Sequence, residues 1–208
     1  VSVVAERLFT PGQDMTPYQV PVASVSPVVK LTTKTHAGRV ENGTGFFIGD
    51  PGFGYTIFTA RHVVRPFGNN PQEILILTSG GDSFLARSVA WVHGSSDSTD
   101  FAVLMISNDN LRTNALLSGT PSHGSFSAVA RGVRAASDVE QVPTALTVQR
   151  VAGLLDFTAG SIRPGVSGGP LVAGQRFVGS SIRTNRGLAL FEAADLNACI
   201  SAARTAAV

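Results

Sequence analysis

The sequence predicts an all-β fold in two antiparallel halves, completed by one C-terminal helix. Three observations predict it. Short apolar runs recur along the chain, each bounded by Gly, Pro, Asn, Asp or Ser, which is the punctuation of strands and turns. The runs fall into two sets, separated by the polar stretch Ser107–His123. Helical periodicity occurs convincingly once, at Ala193–Ala203, where Leu196, Cys199, Ile200 and Ala203 share one face.

Residues 1–24 read as an N-terminal extension, because Pro11, Gly12, Pro17 and Pro21 break regular structure. The first half, residues 25–107, carries runs at Pro27–Thr32, Gly43–Ile48, Tyr55–Ala60, Ile74–Thr78, Phe84–Trp91 and Asp100–Ile106. Residues 108–123 are the expected linker. The second half, residues 124–208, carries Phe126–Ala130, Leu146–Val151, Leu154–Thr158, Pro170–Val172, Arg176–Ile182 and Gly187–Phe191, then the helix. Strands this short and numerous suit an antiparallel double barrel or a sandwich, and periodicity alone does not choose between them.

Composition narrows the class. Charged residues make up only 14% of the 208 residues against 43% hydrophobic, which excludes disorder, a coiled coil and a long-helix protein. A single cysteine, Cys199, excludes an internal disulfide framework and a cysteine zinc site. No cluster of His, Cys and acidic residues has ligand spacing, so neither metal nor other cofactor is expected. Fourteen of the 16 basic residues are arginines, but they are scattered, and no specific nucleic-acid partner is expected. No apolar stretch approaches the ~18 residues of a membrane span. Glu6, Arg7 and Pro11 interrupt any apolar core of a signal segment, and the compartment stays open.

The chemistry concentrates in Arg163-Pro164-Gly165-Val166-Ser167-Gly168-Gly169-Pro170-Leu171. A glycine two residues before a serine lets the chain turn so that two backbone N–H groups converge, where they can stabilise an oxyanion. Glycines after the serine leave room for a substrate strand to approach. The competing reading is a plain Gly-rich hairpin. A serine nucleophile needs a histidine base. Of the four histidines, His62 follows the apolar run Tyr55–Ala60, where a ring can project into a cleft; His36, His93 and His123 lie in polar, turn-like contexts. A carboxylate must then orient the ring. Asp100 opens an apolar run, where burial is costly without a partner, and Asp97 in the neighbouring polar turn competes with it.

These landmarks, in the order His, Asp, Ser and spaced by 38 and 67 residues, resemble the chymotrypsin-like serine protease superfamily from about Val25 onward. Gly43-Thr44-Gly45-Phe46, Thr-Ala-x-His-Val, Asp-Phe-Ala-Val-Leu and Gly-x-Ser-Gly-Gly-Pro carry the resemblance. It implies two six-stranded antiparallel β-barrels with a C-terminal α-helix, the first barrel carrying His62 and Asp100 and the second Ser167. It also implies Ser167 as nucleophile, His62 as general base and then acid, and Asp100 as the orienting carboxylate. The N–H groups of Gly165 and Ser167 would form the oxyanion hole. The implied substrate pocket includes Ser161, Ser181 and Arg183, and it lacks the acid that a preference for Lys or Arg requires.

Digestive relatives pair an aspartate before the serine with a freed N-terminal amine, but Val166 stands there, and the disulfides are missing too. The pattern resembles sobemovirus-like viral polyprotein proteases first and bacterial HtrA-like proteases second. Those branches place it in the host cytoplasm, or in a secreted or periplasmic location, respectively. The expected partner is a polypeptide substrate, including its own polyprotein in the viral case, acted on by a monomer. A catalytically silent protease-fold binding module is the alternative of another class.

Overall fold

The computed structural model describes residues 2–8, 26–49, 56–106 and 114–208, without the side chain of Phe191. Thirteen strands, two α-helices and three 3-10 turns are found among them. The first barrel uses β2 (Val28–Thr35), β3 (Val40–Ile48), β4 (Thr56–Thr59), β5 (Pro71–Leu77), β6 (Ser83–Val92) and β7 (Ala102–Ile106). They pair in the order β6-β5-β2-β3-β4-β7, and β7 returns to β6 to close the ring. Closure removes the free strand edges that would otherwise invite aggregation. Leu31, Phe46, Ile57, Ile74, Ile76 and Leu104 fill the interior and are fully buried.

The second barrel uses β8 (Ser125–Ala130), β9 (Thr144–Val151), β10 (Leu154–Ala159), β11 (Pro170–Ala173), β12 (Arg176–Arg183) and β13 (Arg186–Leu188). It closes in the order β10-β13-β12-β11-β8-β9, every pair antiparallel. Its core is smaller, built on Leu146, Val148, Leu155, Leu171 and Val178. The choice between sandwich and barrel is thereby decided as two six-stranded barrels.

Most expected strands are present with ends moved by a few residues. Besides the 3-10 turns, one strand and one α-helical turn are additional. β1 (Val3–Arg7), inside the expected extension, pairs with the second half of β6, from Val3 opposite Val92 to Arg7 opposite Ser88. It occupies the side of β6 that β5 leaves after Leu85. The single turn α1 (Arg61–Val64) follows β4. The expected run Gly187–Phe191 ends as a strand at Leu188 and continues as a 3-10 turn, Leu190–Glu192. Tyr55, most of the extension and residues 107–113 of the linker lie outside the described residues.

The C-terminal helix α2 (Leu196–Ala206) belongs to the second half of the chain, yet packs on β1, β6 and β7 of the first. Cys199, Ile200 and Ala203 are buried there, on the face that the sequence periodicity indicates. Ser88 Oγ donates to the Ala203 carbonyl at 2.6 Å, and Arg7 Nε to that of Ala206 at 3.2 Å. Burial, aided by Asp195, pushes the Cys199 thiol up to about 12, so it is a packing group rather than a nucleophile.

Apolar contact and backbone pairing join the barrels. Phe177 of β12 sits in the first barrel's core cluster, edge-on to Phe46 with ring centroids 5.3 Å apart. The linker is hydrogen-bonded to both halves: Leu116 exchanges bonds with Phe47 and Gly49, and Leu117 and Gly119 with Phe177. Phe177→Ala would empty this junction. The expected cost is about 3 kcal/mol of unfolding free energy, read as a lowered denaturant midpoint relative to wild type.

Candidate active site

The site begins at the end of β4. Ala60 is still extended (φ −77°, ψ 142°), and the chain then makes one helical turn over Arg61–Val64. That turn buries Arg61, Val63 and Val64 and leaves His62 as its exposed residue. Gly43 of β3 makes room for it, because a Cβ there would lie 2.4 Å from a Val63 methyl.

His62 meets Asp100 at two points. Its ring Nδ1 lies 2.8 Å from Asp100 Oδ2, and its backbone N–H donates to Oδ1 at 3.0 Å. A carboxylate only accepts, so Nδ1 carries the proton, and in the neutral ring Nε2 is left with its lone pair free. The Asp100 side chain is 14% exposed against 44% for the imidazole, so the acid lies behind a ring that faces solvent.

Asp97, the competing acid, goes elsewhere. It lies in the 3-10 turn Asp97–Thr99, three residues before Asp100, and accepts from Arg183 Nη2 at 2.6 Å and Arg186 Nη1 at 3.2 Å. The turn sends one acid to the histidine and the other across to the second barrel. Arg61, which the sequence reading passed over, braces the loop between them. Its Nη1 donates to the Thr99 carbonyl and hydroxyl, both at 3.1 Å, and to the Val92 carbonyl at 3.4 Å. Burial lowers its pKa, while the charge of Asp100 works in the opposite direction.

Around Ser167 the backbone is held peptide by peptide. The carbonyls of Pro164, Gly165, Val166 and Ser167 accept, respectively, from Ala135 N–H at 3.3 Å, Thr44 Oγ1 at 2.7 Å, Gly169 N–H at 2.9 Å and Thr44 N–H at 3.0 Å. Val166 N–H donates to the Arg163 carbonyl at 3.1 Å and Gly168 N–H to that of Ser181 at 2.6 Å. The two N–H groups that alternate with these, of Gly165 and Ser167, are used by no other described residue. Two free donors thus alternate with two bound ones in a loop whose carbonyls are all occupied.

The glycines here serve the protein's own packing. Gly165 has φ +93°, and a Cβ on it would lie 2.1 Å from Ala135 N. Gly168 has φ +91°, and a Cβ on it would lie 2.1 Å from the Thr44 carbonyl and 2.4 Å from Thr59 Oγ1. The space expected after the serine for a substrate strand is therefore filled, at Gly168 by Thr44 and Thr59 of the first barrel and at Gly169 by the Arg131 carbonyl of the second half. The contact at Gly168 also sets the serine loop against Thr59 and Ala60, immediately before His62.

The expected pocket residues separate. Ser161 is exposed, whereas Ser181 is fully buried with no partner for its Oγ. Arg183 is exposed and committed to Asp97. Ile162 is buried, and its N–H donates to the Thr184 carbonyl at 3.0 Å, drawing the segment before the serine onto the turn after β12.

A family model described as a trypsin-like peptidase domain matches residues 43–179, which span the His62 turn, Asp100 and the Ser167 loop. The chain belongs to the trypsin-like peptidase domain family. No curated protein sequence matches it. Among solved structures, the HtrA-type protease AlgW with a tripeptide is similar at 21% identity and a TM-score of 0.62, covering 86% of this chain and 61% of AlgW. The active form of the Rv3671c protease from M. tuberculosis is similar at 21% identity and a TM-score of 0.61, covering 92% and 91%. The serine endoprotease from Yersinia pestis follows at 20% identity and a TM-score of 0.60, covering 89% and 68%. The chain thus spans about three fifths of the length of AlgW.

The packing of these glycines gives a direct prediction. Gly168→Ala must move Thr44 or the serine loop and adopt an unfavourable φ, so hydrolysis should fall at least ~100-fold, with lowered stability. Gly174→Ala, at φ +66° with nothing within 4 Å, serves as the control. It should cost only about 1 kcal/mol and leave turnover near wild type. Thermal midpoints and peptide hydrolysis rates of the two variants check this.

Proposed function

We propose that the chain cleaves peptide bonds through a Ser167–His62–Asp100 triad and an acyl-enzyme intermediate. One observation carries the reading: the free Gly165 and Ser167 N–H groups flank Val166, the residue before a partly exposed serine, in a loop whose carbonyls from Pro164 to Ser167 each accept a hydrogen bond. In this mechanism Ser167 Oγ attacks the scissile carbonyl carbon while His62 Nε2 takes its proton. The charge forming on the carbonyl oxygen is stabilised by the two N–H donors. The C–N bond then breaks as imidazolium returns the proton to the leaving amine. Water repeats the sequence on the ester, releasing the acid and restoring Ser167. Asp100 holds the ring's tautomer throughout and stabilises the imidazolium.

Ser167→Ala and His62→Ala should each abolish hydrolysis with the fold retained, because triad members act as a unit. Asp100→Asn should lower turnover by roughly 10⁴-fold, and Asp97→Asn by far less. Turnover of a fluorogenic peptide, with stoichiometric fluorophosphonate labelling of Ser167 in wild type, is the measurement. Absence of both in folded wild-type protein would support the silent binding module instead.

Two biological settings agree with the family. Viral polyprotein processing is supported by the Pro-Gly-x-Ser-Gly core and the Asp-Phe-Ala-Val-Leu run. A bacterial HtrA-like role has at least equal support from the similar bacterial proteases. Expression within the longer reading frame separates them: self-release of the chain favours polyprotein processing.

For the residue before the scissile bond, exposed Ser161 remains the proposed pocket group, while Ser181, fully buried, joins it only where substrate binding uncovers its hydroxyl. Arg183, held by Asp97, offers the pocket no free charge. A small or polar residue is expected there, and not a basic one. Cleavage-site profiling on a peptide library checks this, and efficient cutting after Lys or Arg would overturn it.

A further inference from the structure

We infer that Thr44, on a strand of the first barrel, is the positioning residue that keeps the second barrel's serine loop in the conformation catalysis needs. The inference rests on the peptidase reading above and adds to it a residue that carries none of the triad chemistry. Thr44 is wholly buried in β3. Its Oγ1 donates to the Gly165 carbonyl at 2.7 Å and accepts the Val133 N–H at 2.9 Å. Its own N–H donates to the Ser167 carbonyl at 3.0 Å, and its carbonyl accepts from Thr59 Oγ1 at 2.8 Å. A longer contact of 3.4 Å runs from Oγ1 to the Val133 carbonyl; every polar atom of this residue is engaged, and four of the five contacts reach the second half of the chain.

The peptide between Gly165 and Val166 is where such an anchor matters. The Gly165 and Ser167 N–H groups lie on either side of it and can serve one oxyanion only while its own carbonyl points away. Turning this peptide over changes ψ at Gly165, which glycine accepts with little penalty, together with φ at Val166. Turned over, it would set the Gly165 carbonyl against the Arg163 carbonyl in place of the Val166 N–H, and the loop carrying the two donors would have to shift to relieve that contact. Two bonds oppose that: Val166 N–H to the Arg163 carbonyl, a contact within the loop, and Thr44 Oγ1 to the Gly165 carbonyl. Only the second is anchored outside the loop, on a closed barrel. The Val133 N–H on the same hydroxyl orients it, since an oxygen accepting there directs its proton elsewhere. Glycines at 43 and 45 suit this position, because a Cβ at 43 would strike Val63 and one at 45 Ile57 and Leu31.

Three substitutions test the assignment. Thr44→Ser keeps the hydroxyl, Thr44→Cys has the size of serine but donates poorly, and Thr44→Val keeps the shape without the hydroxyl. Each is measured for kcat, KM, thermal midpoint and inhibition by a peptide aldehyde, whose adduct with the serine places an oxygen in the same hole. Expected is a loss of roughly 10–100-fold in kcat for Cys and Val, with a parallel weakening of the aldehyde and little change in KM. Thr44→Ser should restore most of the activity. Wild-type kcat and aldehyde affinity in Thr44→Cys and Thr44→Val would overturn the inference. So would losses that follow the thermal midpoint alone, with Ser as impaired as Cys. If Thr44→Val does not fold, the Ser and Cys pair, matched in size, decides. A wild-type chain that neither hydrolyses peptides nor takes a fluorophosphonate label overturns the peptidase reading, and this inference with it.

Discussion

Closure leaves the two barrels little strand edge with which to bind each other, and they are joined along a seam of side chains and loop backbone. Phe177 leaves its own barrel to pack on Phe46 in the core of the other. The linker around Leu116 and Gly119 is bonded to β3 on one side and β12 on the other. α2 finishes the second half of the chain on the wall of the first barrel, burying Ile200 and Ala203 there. Burial of such aromatic and aliphatic groups is worth about 1.5–3 kcal/mol each, which makes the seam a substantial fraction of a domain's net stability. The residues with chemical potential all lie along it.

That location explains how the site obtains rigidity from ordinary parts. A loop joining two strands is normally the mobile part of a fold. Here the loop of Ser167 presses against β3 and β4 so closely that no side chain fits at Gly168, and each carbonyl from Pro164 to Ser167 has a donor. Donors held in place before the reaction need not reorganise during it, which is the main source of electrostatic catalysis in such sites.

Charge is distributed along the same seam with different consequences. Asp100 is shielded behind His62 and braced through the loop that Arg61 holds, so its contacts decide the state of the ring. Asp97 joins Arg183 and Arg186 across the barrels, where Arg183 is 57% exposed. Exposed pairs contribute little to stability, so this bridge acts on the shape of the cleft and on which charges remain available there.

Much of this was legible in the sequence. Apolar runs divided by turn residues determine strands by local patterning, and two sets of them with a polar divider determine two halves. His62, Asp100 and Ser167 were legible because each combines a reactive group with an unusual setting: a strand end, an acid entering an apolar run, a serine among glycines. Other features depend on contacts between distant segments. Thr44 is one threonine among many until Gly165 and Val133, about 120 and 90 residues away, arrive at its hydroxyl. Asp97 and Asp100 compete on paper, and only the 3-10 turn between them sends one to His62 and the other to Arg183. β1 is short and followed by prolines, and it becomes a strand because β6 has a side to offer it. Local chemistry thus determined which residues can react and which segments extend. Where a hydroxyl, an acid or an edge finds its partner was decided by the tertiary structure, because hydrogen bonds and ion pairs act over a few ångströms whatever their separation along the chain.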